Sequence, residues 1–105
     1  MKAKQYKSVQ CEDGFNISIQ ASERNYSSPR DNLGPYTEVE LGFPNATDET
    51  ILPYAEDRMN PTGTVYPYVP SEVVLEMLLK HGGMVEGEVP PMVVGYSNNF
   101  PNESR

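Results

Sequence analysis

Eighteen of the 105 residues are proline or glycine, ten of one and eight of the other. Proline breaks helices and central strands, and glycine weakens both, so a chain punctuated this densely can build only short elements joined by many turns. Its length suits one domain with a modest core, expected over residues 1–95, followed by a flexible tail over 96–105.

Within that frame the apolar residues are patterned. In 15–21, Phe15, Ile17, Ile19 and Ala21 alternate with Asn16, Ser18 and Gln20. A period of two with one polar face reads as a strand wetted on one side. It pairs with 5–11 across Glu12-Asp13-Gly14, since Asp-Gly between two such runs is a hairpin signal. Residues 36–43 alternate too, with Thr37, Val39, Leu41 and Phe43 expected inward and Tyr36, Glu38 and Glu40 outward. Residues 49–55 and 64–69 read as further short strands, and Pro53 and Pro67 confine them to edges or bulges. Residues 84–89 and 92–95 are short extended candidates. Residues 22–35 hold no periodicity, which marks a long loop of the kind that often carries function.

One helix is signalled over about 71–81. Ser71 is a suitable N-cap, Glu72 lies in the first turn, and Lys80, His81 and Gly82-Gly83 suit its end. Val74, Leu75, Leu78 and Leu79 share one face, widened by Val73 and Met77, and Glu76 and Lys80 stand in the favourable i, i+4 order. The expected fold is therefore α+β: two layers, with a mainly antiparallel sheet of five or six short strands and one helix on its apolar face. The predicted core sets the helix leucines and Val74 against Phe15, Ile17, Ile19, Val39, Leu41 and Phe43.

Charge narrows the functions. Fifteen acids against eight Lys and Arg give −7. Between residues 11 and 89 there are 14 acids and four bases (Arg24, Arg30, Arg58, Lys80), hence 4 − 14 = −10. Direct nucleic-acid binding needs clustered cations and is not expected. A single cysteine, Cys11, makes no intrachain disulfide, and no apolar run suits a signal peptide or a membrane span. A reduced, cytosolic location is expected.

Catalytic constellations are sparse. His81 is the one histidine, so any Ser–His–Asp or Cys–His site would need it; its place at a helix end reads as capping instead. Cys11 lies beside Glu12 and Asp13, whose charge blunts a thiol. One His and one Cys fit no zinc pattern, and Asp48-Glu49 and Glu56-Asp57 lack calcium-loop spacing. No catalytic residue, metal or cofactor is therefore assigned. The loop offers more: Tyr26, Ser28, Arg30, Asp31 and Asn32, with Tyr36, Tyr54, Tyr66 and Tyr68 as aromatic surface, form a candidate binding set. Glu38, Glu40, Asp48, Glu49, Glu56 and Asp57 form a candidate acidic surface.

The runs CEDGFNISIQAS, YSSPRDNLGPYTEVELGFP, YAED, TVYPYVP and LLKHGG, spread over about residues 9–83, resemble a group of small phage- and prophage-encoded proteins. That resemblance implies origin, and with it the cytoplasm of a bacterial host cell as the location, and transfers no catalytic residue. Two readings follow. The first is an acidic, non-enzymatic phage-type protein that binds and inhibits a host protein with a basic surface, in counter-defence or as a nucleic-acid mimic. The second is an oligomeric binder of a small anionic ligand, such as a nucleotide signal, held by the 22–35 loop. An enzyme working through carboxylates or His81 is the third and least supported.

Overall fold

A computed structural model describes residues 3–93. The elements run β1 (Val9–Cys11), β2 (Asn16–Gln20), β3 (Glu38–Gly42), a 3-10 turn (Leu52–Tyr54), β4 (Val65–Pro70), α1 (Ser71–Lys80) and β5 (Met84–Glu86). The strands form one open sheet in the order β4-β3-β2-β1-β5, with every neighbouring pair antiparallel. The α+β expectation holds. The tail expected over 96–105 lies outside the described residues.

Local chemistry explains the hairpin. Gly14 takes φ +96, Cys11 N–H donates to Phe15 O, and Gly14 N–H donates to Cys11 O. Asp13 closes the turn by accepting from Phe15 N–H at 2.9 Å. Alternation then buries Val9, Cys11, Phe15, Ile17, Ile19 and Ala21 on one face, joined by Val39, Leu41, Ile51, Tyr66 and Val69. The opposite, polar face is partly covered: the amide of Gln20 pairs with the backbone N–H and C=O of Tyr6.

Several expectations fail at element ends, each for a visible reason. Alternation stops where β3 stops. Phe43, expected inward, turns out at φ +51 and is 59% exposed, and Thr37, also expected inward, is exposed. Tyr36, expected outward, is buried; its N–H donates to Pro91 O and its hydroxyl to Asp31 O. Residues 49–55 are no strand. Asp48 accepts from Thr50 N–H, Leu52 N–H donates to Asp48 O, and Pro53 is the second residue of the 3-10 turn, where its fixed φ fits. Of 92–95, Met92 makes one isolated bridge to Tyr36, and residues 94 and 95 lie outside the described residues.

The helix is present but rotated from the predicted face. Val74 and Met77 are fully buried, whereas Leu75 is 39% and Leu79 66% exposed, and Leu78 is half-buried. α1 follows β4 with no intervening loop, and Pro70 occupies the cap position without a side-chain hydrogen bond. Ser71 is thus no N-cap: it is buried, its N–H donates to Thr37 O, and its hydroxyl donates to Val93 O. The buried side is centred near Val74, with Ser71 and Met77 at its two margins, and Leu75 and Leu79 fall on the outer side.

Candidate functional site

The polar loop and β4 meet at a bulge. Val39 pairs with Val69 and Leu41 with Tyr66, so Pro67 and Tyr68 together oppose Glu40. Tyr68 takes φ +53, a conformation that costs a non-glycine residue about 1–2 kcal/mol and persists only where surroundings impose it. Here they do. The twist turns Tyr68 N–H onto Tyr26 O at 3.1 Å, while Glu40 accepts from Tyr26 N–H at 2.8 Å. Gripped at both polar groups, Tyr26 sets its ring 5.8 Å from that of Tyr68, and the Arg30 guanidinium lies 5.5 Å over Tyr26. Both tyrosines are about two-fifths exposed. This is an aromatic patch with one arginine over it and one carboxylate beneath it, at an edge strand.

The remaining loop residues hold the loop itself. Ser28 donates to the Glu38 carboxylate at 2.8 Å and bridges β3 through its backbone. Asp31 accepts from the N–H groups of Gly34 and Leu33, and these bonds hold its carboxyl below the usual aspartate value. Asn32 accepts from Glu23 N–H.

The predicted aromatic set therefore divides. Tyr36 and Tyr66 belong to the core, with hydroxyls donated to Asp31 O and Pro61 O and phenol pKa values pushed up by burial. Tyr54 packs half-buried against that core. Only Tyr26 and Tyr68, with Arg30, come together at the surface. The acidic set divides likewise. Glu49, Glu56 and Asp57 are exposed, Glu38 and Glu40 are half-buried in the contacts above, and Asp48 is buried and leaves the surface set.

Asp48 is buried because it meets the histidine. His81 Nε2 lies 2.5 Å from Asp48 Oδ2, and Nδ1 lies 2.6 Å from Asp13 Oδ2. The ring stacks on Phe15 at 3.9 Å and 5°, and Lys80 Nζ reaches Asp48 at 3.4 Å. Three elements supply the parts: the hairpin turn gives Asp13, the loop after β3 gives Asp48, and the end of α1 gives His81. Gly82, at φ +89, lets the turn come close; a Cβ there would lie 2.7 Å from that of Glu12.

The electrostatics agree from all three sides. Burial pushes the imidazole pKa down, but hydrogen bonds to Asp13 and Asp48 outweigh it and raise the value above 6.5. The His81 hydrogen bond lowers Asp13; burial raises Asp48, but His81, Thr50 N–H and Lys80 bring it below the ordinary value. Both ring nitrogens face carboxylate oxygens, an arrangement that suits an imidazolium donating from each. His81 is therefore not the carbonyl-capping side chain expected, although its backbone N–H does close the helix onto Met77 O and Leu78 O. Held this way, it has both nitrogens engaged by protein carboxylates rather than presented to a substrate. Cys11 is buried, its thiol pushed up by burial and by Asp13.

A shallow cavity of about 220 Å³ beside His81 is lined by Asp13, Gly14, Phe15, Asn45, Ala46 and His81 itself. Among the described residues no group of three or more His, Cys, Asp or Glu side chains could hold a metal ion, and no helix is long and apolar enough to cross a membrane. No protein-family model, curated protein or solved structure matches the chain.

Proposed function

We propose that the chain is a small acidic binding protein of phage type, without catalytic chemistry, that occupies and blocks a basic surface on a host protein. The observation that carries this reading is uncompensated charge. Among the described residues, ion pairs engage only Asp13, Asp48 and Glu88 of the acids, so most of the excess behind the net charge of −7 faces solvent unneutralised. Such a surface steers toward cations and repels nucleic acid. Pull-down from host lysate at low salt should recover a basic protein, with affinity falling about tenfold or more between roughly 50 and 300 mM salt. Recovery of no basic partner refutes the reading.

The patch of Tyr26, Tyr68 and Arg30 favours a second reading: an oligomeric binder of a small anionic ligand, with the guanidinium on the anion and the rings against a base. A thermal shift with a nucleotide, lost in Arg30→Ala, supports it, and no shift across a nucleotide panel removes it.

A further inference from the structure

Leu75 and Leu79 stand one helical turn apart on the outer side of α1, their Cβ atoms about 6 Å apart by helix geometry. They are too exposed for core residues, at 39% and 66%. Glu72 and Glu76 run alongside at the same i, i+4 spacing and are likewise exposed. Neither has an ion pair or hydrogen bond among the described residues, because Lys80 turns from Glu76 to Asp48 and to the Thr50 hydroxyl. The helix thus has two apolar sides. One holds Val74 and Met77 in the core; the other presents a leucine ridge with an acidic row beside it.

We infer that this outer face of α1 docks a basic amphipathic helix of the partner protein, leucine ridge into apolar groove and Glu72 and Glu76 against lysine or arginine. The inference rests on the binding reading above and names its surface. Ridge spacing fits a helix, since i, i+4 rows pack between the rows of another helix. Charge selects which helix. A second copy of this chain, packed antiparallel so that Leu75 meets Leu79, would bring the two Glu76 side chains to within one turn of the two-fold axis. A parallel pairing would set Glu72 on Glu72 and Glu76 on Glu76. Either juxtaposes like charge in molecules already at −7. A basic helix meets the same surface with attraction.

The test is a fluorescence-anisotropy titration of the full chain with a labelled synthetic peptide of about 18 residues, leucine on one helical face and lysine elsewhere, long enough to be helical. The expected result is saturable binding, weakened about tenfold or more by Leu75→Ser with Leu79→Ser and about fivefold by Glu72→Gln with Glu76→Gln. Glu49→Gln with Glu56→Gln, acids outside α1, should change it by less than about twofold. All four α1 positions are exposed, so unchanged melting curves should confirm that these variants fold. Peptide binding that ignores the leucines, or that depends equally on Glu49 and Glu56, overturns the α1 surface while leaving a basic partner in place. No binding to the peptide, together with no basic partner in the pull-down, overturns both. A wild-type dimer in sedimentation that Leu79→Ser dissolves also overturns the inference, because a second copy then covers the face.

Discussion

The two ends of the sheet's loops treat charged and aromatic residues in opposite ways. At the end of α1, an imidazolium, two carboxylates, a lysine and a phenylalanine ring satisfy one another, and the most buried of them, Asp48, is the most fully partnered. At the β4 bulge, a strained backbone and a borrowed carboxylate hold Tyr26, Tyr68 and Arg30 out toward solvent. The first arrangement uses reactive residue types to join three segments. The second uses backbone hydrogen bonds to display side chains. Geometry makes the histidine a joint between segments and leaves the loop side chains displayed.

This contrast is most sharply tested at the histidine. His81→Ala takes the closest partner from buried Asp48 and leaves it Lys80 and the Thr50 N–H, and removing one member of a buried pair costs up to about 3–5 kcal/mol. Urea unfolding should record a loss of that order, and a loss below about 1 kcal/mol would place the bridge at the level of an ordinary surface pair. The rotation of α1 is the next test. Met77→Ala should cost about 3 kcal/mol, and Leu79→Ala less than about 0.5 kcal/mol, in the same assay. Equal losses would restore the face predicted from periodicity.

A pH profile separates the two regions further. The raised His81 value stabilises the fold fully below about 6.5, and that contribution fades as pH rises through the folded-state value. The lowered Asp13 and Asp48 values stabilise it above about 3.8, and that contribution is lost as pH falls through their folded-state values. Stability from the bridge should thus be greatest between about pH 4 and 6.5, and His81→Ala should remove the decline on the alkaline side. The smallest expected effect lies in the display region. Arg30→Ala should change stability by less than about 1 kcal/mol, since an exposed cation–π contact contributes no more; a larger loss would make that patch structural as well.

What the sequence made legible was local. The Asp-Gly hairpin, the alternation of 15–21 and the glycine stop after His81 depend on neighbours a few residues away, and each formed as read. Long-range contacts were hidden. Leu75 and Leu79 fit the apolar stripe as well as Val74 and Met77 do, and only packing against the sheet's core, far away in sequence, chooses between them. Tyr36 reads as outward until Pro91 and Asp31 are seen around it. The bridge is the extreme case, because His81 finds its partners 68 and 33 residues away. Its single sequence signal was that the chain has one histidine.

That solitary histidine makes the deciding measurement unambiguous. Nitrogen-15 NMR of the imidazole, followed across pH, reads both ring nitrogens of one residue directly. The structure predicts a midpoint raised above 6.5, with both nitrogens protonated below that midpoint and both carboxylate bonds intact. A midpoint at or below 6.5, with one nitrogen unprotonated at pH 7, would contradict the account and return His81 to the set of residues free for chemistry.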